Sequence, residues 1–166
     1  DFDFVKVLDF GLVQIRKSDP AMAVTETLAT VQALIGTPAY MAPEVILGRD
    51  DVDRRADVYA IGCVAFYLLT GTRVFPDGTQ MQTLIDHVHA VPVAPSVRVS
   101  TGLPREVDEL VLACLRKAPE DRPQDAGELL AIIKTLPLSR AWSNDHARAW
   151  WQARLPELSG PLVRGV

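Results

Sequence analysis

The sequence has little of what marks secreted, membrane or nucleic-acid-binding proteins. It has only two cysteines, Cys63 and Cys114. They form neither a disulfide framework nor a metal-binding pair, which predicts a reducing, cytoplasmic location. The longest nearly apolar run, residues 58–69, is too short for the roughly 20 residues of a membrane span, and no signal peptide is visible. With 17 basic and 21 acidic residues the net charge is −4, which predicts no binding to nucleic acid.

The remaining composition is that of an ordinary folded protein. Apolar residues make up 48% of the 166 residues and charged residues 23%. This balance predicts one domain with a substantial core, or part of a larger one, and excludes general disorder. The chain starts at Asp1 in the middle of a strand-like pattern. We therefore expect it to be truncated at its amino terminus.

The first forty residues predict two short strands and a long loop. Residues 4–8 alternate between apolar and polar side chains, as in a strand, and residues 12–15 could form a second one. Asp9-Phe10-Gly11 stands between them, so a short β-hairpin is predicted. No period is visible over residues 16–40. A loop of that length inside a compact domain is usually functional or disordered.

The rest of the chain predicts helices. Residues 54–70 are apolar on nearly every side, which indicates a helix buried on all faces, and Gly71 would end it. Pro104 is placed for the first turn of a later helix, and Ser143 for the N-cap of a helix over residues 144–155 that carries two tryptophans. The i, i+3, i+4, i+7 spacing of amphipathic helices is kept by Met81, Leu84, Ile85 and Val88, by Val107, Leu110, Val111 and Cys114, and by Ala126, Leu129, Leu130 and Ile133.

Four motifs follow one another along the chain. They are Val7-Leu8-Asp9-Phe10-Gly11, Ala42-Pro43-Glu44, Asp57-Val58-Tyr59-Ala60-Ile61-Gly62 and Asp121-Arg122-Pro123. Their order and spacing resemble the C-terminal lobe of a eukaryotic-type serine/threonine protein kinase of bacterial style. The resemblance covers residues 4–135 and implies a mainly α fold, a kinase-like C-lobe with a short β-hairpin around Asp9 and no N-terminal lobe. Residues 1–136 would be a partial kinase domain, and residues 137–166 a tail whose Trp-rich helix docks on the back of the domain.

Asp9 is the candidate metal ligand. A carboxylate directly after a strand and before a flexible glycine suits Mg²⁺ held against phosphate oxygens, although a plain turn aspartate would occupy the same place. The resemblance implies that Asp9 is catalytic and binds the Mg²⁺ of ATP. It also implies that Phe10 and Gly11 complete this cofactor-binding step.

The long loop is the candidate regulatory and substrate-binding region. The resemblance makes residues 12–35 an activation segment, in which Thr30 or Thr27, with Thr25 as a further candidate, would be phosphorylated. A threonine-rich loop that is never modified is the alternative. Thr37 would steady the catalytic loop, which favours serine and threonine acceptors. The substrate-binding residues implied are Gly36, Thr37, Pro38, Ala39 and Tyr40.

Other polar residues are expected to be structural. The resemblance pairs Glu44 with Arg122 in a buried ion pair and places Asp57 against the backbone of the catalytic loop. The three histidines, His87, His89 and His146, have no metal-binding spacing. We expect them at the surface or at helix caps.

Two functions remain open from the sequence. One is part of a kinase that transfers the γ-phosphoryl group of MgATP to Ser or Thr of a protein substrate; the other is a pseudokinase-type docking or scaffold module. The intact Asp9-Phe10-Gly11 step and Thr37 favour the enzyme. In the family, the catalytic base and the ATP-binding lysine lie upstream of the motif that corresponds to Asp9-Phe10-Gly11. This polypeptide alone is therefore expected to be inactive. Without them, residues such as Val58, Ile61, Phe66 and Leu69 would form an exposed patch and the chain would aggregate.

Overall fold

The computed structural model describes residues 38–100, 102–137 and 142–154, and these ranges are helical without a β-strand. The prediction of a mainly α fold is confirmed, whereas the predicted hairpin over residues 4–15 lies outside the described residues. The α-helices are α1 (Pro43–Ile46), α2 (Arg55–Thr70), α3 (Gln80–His89), α4 (Arg105–Cys114), α5 (Ala126–Thr135) and α6 (Asn144–Arg154). Short 3-10 turns cover Pro38–Tyr40, Pro95–Val97 and Pro119–Asp121.

Local signals set the ends of these helices. Gly71 follows α2 with a φ of 70°, the left-handed conformation that glycine adopts without strain. The side chains of Thr79 and Asp125 accept hydrogen bonds from the first turns of α3 and α5. Pro104 stands directly before α4 rather than inside its first turn, and its carbonyl accepts the first helical hydrogen bond.

Helix α2 is the centre of the core. It packs most extensively on α4, and it also contacts the Pro38–Tyr40 turn. Two buried clusters meet on its inner side. The first contains Ala42, Tyr59, Cys63, Phe66, Val74, Val111 and Leu115, and the second contains Val58, Cys114 and Leu129.

The outer side of α2 differs from the prediction of a helix buried on all faces. Ile61 is 44% exposed and Leu68 77%, with Val64 between them on the same side. The prediction is wrong for this face because the described elements that contact α2 cover only its inner side. Ile61 matches the expected exposed patch, whereas Val58 and Phe66 are buried.

Helix α3 forms as predicted but buries a different face. Met81 and Ile85, two members of its apolar pattern, are 56% and 46% exposed. Its buried side chains are Thr83 and His87. The reason is tertiary: α3 packs against the Pro38–Tyr40 turn and α1.

Helix α6 belongs to a second compact unit, distinct from the one that holds α1 to α5. The hydroxyl of Ser143 accepts the backbone N–H of His146, so Ser143 caps the helix as predicted. Trp150 and Trp151 meet edge to face with ring centroids 5.1 Å apart, and the Arg154 guanidinium lies 5.6 Å from the Trp150 centroid. Leu155 lies outside the described residues.

Candidate functional site

The sequence-predicted residues Glu44 and Arg122 come together in the core. Both residues are buried, although 78 positions separate them along the chain. Arg122 Nη1 donates to Glu44 Oε1 at 2.7 Å, and Nη2 donates to Oε2 at 2.8 Å. Two parallel bonds of this kind fix both the distance and the orientation of the partners. Glu44 therefore holds the first turn of α1 against the segment that carries Arg122.

Arg122 has a partner for every guanidinium N–H. Beyond its two bonds to Glu44, it donates through Nε to the carbonyl of Arg116, through Nη1 to Arg55 and through Nη2 to Lys117. Its guanidinium carbon also lies 4.9 Å from the ring centroid of Tyr59. Five N–H groups are all that an arginine has, so this buried charge is fully hydrogen-bonded.

The Pro38–Tyr40 turn leads directly into the helix that carries Glu44. Ala39 is buried, and Tyr40 packs on the first core cluster. Met41 donates its backbone N–H to the carbonyl of Pro38 at 3.3 Å, which closes the turn. The turn contacts both α2 and α3. Contacts with α2 and α3 therefore restrain the main chain of the turn, and the Glu44–Arg122 ion pair fixes the helix that follows it.

His87 contradicts the expectation of surface or cap histidines. It is 1% exposed, and its Nδ1 lies 2.8 Å from the hydroxyl oxygen of Tyr59. The Phe75 ring stands edge-on at a centroid distance of 5.0 Å. His87 is buried because α3 turns this face toward the core. The other two histidines, His89 and His146, are exposed, as expected.

The second nitrogen of His87, Nε2, is buried and has no hydrogen-bond partner among the described residues. A buried polar group left unpaired costs about 1–3 kcal/mol. Burial lowers the pKa of His87 to about 4, and the nearby Lys117 charge contributes to this lowering. The imidazole is therefore neutral near pH 7.

Lys117 supports the same region from the other side. Its Nζ donates to the carbonyl of His87 at 2.7 Å and to that of Asp86 at 3.3 Å, near the C-terminal end of α3. The ammonium also lies 4.9 Å from the Phe75 ring centroid. Burial, with the Arg122 charge as a further cause, lowers the pKa of Lys117 to about 8. Lys117 thus joins the segment after α4 to α3.

Other predicted site residues are not brought into this cluster. Asp57 is exposed on the first turn of α2, and no group in the described part of the chain bonds to its carboxylate. Asp9, Phe10, Gly11, Gly36, Thr37 and the loop threonines Thr25, Thr27 and Thr30 lie outside the described residues. Within the described ranges, no group of three or more His, Cys, Asp or Glu side chains could hold a metal ion. None of the helices in those ranges is long and apolar enough to cross a bilayer.

Comparison with known proteins gives the family. The protein kinase domain matches residues 1–132 of this chain. The chain belongs to the protein kinase family. The predicted resemblance to a kinase C-lobe is thereby confirmed.

Bacterial protein kinases are among its relatives. The chain is 41% identical over 129 residues to the serine/threonine-protein kinase PknB of Mycobacterium tuberculosis. The aligned region covers 78% of this chain and 20% of the relative. The chain is 42% identical over 119 residues to the serine/threonine-protein kinase Pkn1 of Myxococcus xanthus, covering 72% of this chain and 16% of the relative. The chain thus spans about a fifth of the length of these curated relatives. Protein kinases in general use ATP and a divalent metal ion and act on proteins.

His87, Tyr59 and Lys117 are the site residues that sequence reasoning missed. Tyr59 lies within the motif over residues 57–62, whereas Lys117 lies in none of the four motifs. The apolar spacing of α3 pointed to the face of Met81 and Ile85. No local signal in the sequence indicates that the opposite face, with His87, is the buried one.

Proposed function

We propose that the protein to which this chain belongs transfers the γ-phosphoryl group of MgATP to serine or threonine hydroxyls of protein substrates. The observation that carries this proposal is the protein kinase domain match over residues 1–132. The names of the bacterial relatives, all serine/threonine-protein kinases, support the choice of acceptor. The free thiols of Cys63 and Cys114 fit a reducing, cytoplasmic compartment for this part of the protein.

In this proposal Asp9 binds the Mg²⁺ ion, and Phe10 and Gly11 complete the cofactor-binding step. Bound Mg²⁺ supplies neutralisation of the negative charge on the ATP phosphates. Asp57 would bind the backbone of the catalytic loop, and its exposed position at the start of α2 leaves it accessible for that contact. Residues 1–136 would form the kinase part, and residues 137–166 a tail.

The acceptor peptide would lie over residues 36–40. Thr37 steadies the catalytic loop, and Gly36, Pro38, Ala39 and Tyr40 form the floor under the peptide. The support for this assignment is that packing and an ion pair restrain the turn. The described part of the floor is held by α2, by α3 and, through α1, by the Glu44–Arg122 pair. A floor with few ways to move orients the acceptor hydroxyl, and positioning of this kind supplies much of kinase catalysis.

Thr30, or failing that Thr27, would be the activating phosphorylation site. Phosphorylation adds about −1.5 to −2 charge and can order a loop against arginines. Mass spectrometry of the autophosphorylated complete kinase tests this assignment. Phosphate found only outside residues 12–35 would contradict it.

The decisive experiment is Asp9→Asn in the complete kinase, with a basic protein as acceptor and Asp77→Asn as the matched control. Asp77 is an exposed carboxylate in the loop before α3. We expect Asp9→Asn to lower the phosphorylation rate by at least a hundredfold and Asp77→Asn to leave it unchanged. A rate within tenfold of the parent would refute the role of Asp9. Absence of activity in the unmodified complete protein would favour the pseudokinase-type scaffold instead.

A further inference from the structure

The imidazole of His87 is the buried polar group that the kinase motifs leave unexplained. It lies on α3, outside all four motifs, and is almost fully buried. One ring nitrogen, Nδ1, is hydrogen-bonded to the Tyr59 hydroxyl, and the other, Nε2, has no partner in the part of the chain that the structure describes. A natural fold rarely leaves such a group unpaired without a reason.

The hydrogen-bonding pattern fixes which nitrogen carries the proton. The Tyr59 hydroxyl has no acceptor other than His87 among the described residues, so it donates to Nδ1. A neutral imidazole that accepts at Nδ1 carries its proton on Nε2. The unpaired Nε2 of His87 therefore carries a hydrogen and is a donor whose hydrogen bond is not made.

The Pro38–Tyr40 turn packs against the helix that carries His87 and offers backbone carbonyl groups as acceptors. The backbone of Ala39 acts on the His87 ring in the direction that raises the pKa of His87. A carbonyl oxygen has this effect because it favours the protonated ring, whereas an N–H group would oppose it. The Ala39 backbone thus acts on the ring as an acceptor would, while Nε2 makes no hydrogen bond to any described residue. A movement of the turn would complete the bond.

We infer that His87 is a positioning residue for the acceptor peptide: its Nε2–H donates to the Ala39 carbonyl when residues 38–40 close on the bound peptide. This inference rests on the proposed function, because it takes the described turn at residues 38–40 as part of the peptide floor. His87 itself touches neither the peptide nor ATP. It acts by fixing the main chain of Ala39, while Lys117 holds the α3 end of the same contact through the carbonyl of His87.

Two substitutions of His87 separate this role from simple packing. In His87→Gln the side-chain amide N–H₂ reaches the place of Nε2–H, whereas the shorter side chain of His87→Asn ends near the place of Nδ1. In the complete kinase we expect His87→Asn to raise the KM for a basic acceptor peptide about tenfold. His87→Gln should stay within about threefold of the parent. In both variants kcat and the KM for MgATP should change less than twofold, and exposed His89→Gln should change nothing.

An equal rise of the peptide KM in the Asn and Gln variants, or no rise in either, would overturn the inference while leaving the kinase assignment intact. If His87→Asn does not fold, Tyr59→Phe replaces it, because loss of the hydroxyl no longer holds the ring proton on Nε2. We expect about a threefold rise of the peptide KM there, and an unchanged KM would be the contrary result.

A readout independent of catalysis covers the case in which the complete protein phosphorylates nothing. That result would defeat the proposed function alone. Hydrogen exchange of the Met41 amide, which closes the turn onto Pro38, then decides about His87. We expect exchange at least fivefold faster in His87→Asn than in the parent or His87→Gln. Equal exchange in the two variants would overturn the inference.

Discussion

Two buried side chains, Arg122 and His87, differ in how completely their hydrogen bonds are satisfied. Arg122 is charged and uses all five N–H groups. His87 is neutral and leaves one ring nitrogen unpaired. A charge whose hydrogen bonds are all made fixes the local geometry. An unpaired donor, in contrast, allows the neighbouring turn to lie with or without a hydrogen bond to it. The first residue is thus expected to determine stability and the second to determine how the turn responds to its peptide.

Replacing Arg122 by lysine should destabilise the kinase domain by about 3 kcal/mol. Lysine keeps the positive charge but cannot reproduce the paired bonds to Glu44 or reach the surrounding carbonyls. The matched control is Arg49→Lys, whose guanidinium pairs with Asp51 on the surface. There we expect a loss below about 1 kcal/mol. Urea unfolding of the complete domain measures both, and a loss below about 1 kcal/mol for Arg122→Lys would contradict the prediction.

The lowered pKa of His87 makes stability depend on pH in a defined direction. The group has a pKa of about 4 when folded and 6.5 ordinarily, so the unfolded chain binds the proton first as the pH falls. Its contribution is complete above pH 6.5 and disappears as the pH falls toward 4. At pH 4.5 the parent should have lost about 2–3 kcal/mol relative to non-titrating His87→Gln. Urea unfolding at pH 7 and 4.5 tests this, with exposed His89→Gln expected to behave like the parent.

At the scale of elements, the crossing of α2 and α4 depends on Gly62. A Cβ atom added at Gly62 would lie 2.6 Å from the Cβ of Cys114 and 3.2 Å from a methyl carbon of Leu115. Backbones can approach this closely only where one residue has no side chain. The approach brings Cys63 and Cys114 into the buried layer, and burial raises the pKa of the Cys63 thiol to about 12 and that of Cys114 to about 11. Both thiols are therefore protonated and unreactive near pH 7.

Gly62→Ala should destabilise the domain by about 1–3 kcal/mol, because the added methyl group overpacks the crossing. Cys114→Ala in the same chain should not rescue it, because alanine keeps the Cβ atom that clashes. Gly102→Ala serves as the control, since nothing lies within 4 Å of its added Cβ. Thermal unfolding of the three variants measures the effect. A Gly62→Ala domain as stable as the parent would show that the crossing can widen freely.

The sequence predicts where the helices begin and end better than it predicts which of their faces are buried. The bounds of α2 and the ending at Gly71 follow from local apolar pattern and backbone chemistry, which act within a few residues. The buried face of α3 could not be predicted, because Thr83 and His87 are buried by the distant Pro38–Tyr40 turn. The same limit applies to α2, whose apolar outer side is exposed. For the candidate site, the kinase motifs predicted the pairing of Glu44 and Arg122, whereas no motif contains Lys117.

At the scale of the molecule, the outer side of α2 presents an apolar stripe of Ile61, Val64 and Leu68. These residues follow Asp57 by about one, two and three helical turns, so they share one side of the helix. Contiguous exposed apolar surface of this kind marks an interaction site or a source of aggregation.

We expect the 166-residue chain to self-associate through this stripe. Leu68→Glu should lower the associated fraction without changing the helical circular dichroism, because Leu68 is mostly exposed and a charge there remains hydrated. Leu47→Glu is the matched control: Leu47 is also exposed, but it follows α1 and lies outside the stripe. Sedimentation velocity measures the distribution of species. A monomeric parent chain with a sharp thermal transition would contradict the expectation.

The 78-residue separation between Glu44 and Arg122 also has a consequence for the lifetime of the folded state. Each helix forms from neighbours along the chain, but this pair requires a long loop to close and two charges to lose water. We therefore expect it to form late, after the folding barrier has been crossed. Contacts made on that side of the barrier slow unfolding and leave the folding rate almost unchanged. We therefore expect loss of the ion pair to speed unfolding of the domain much more than it slows folding.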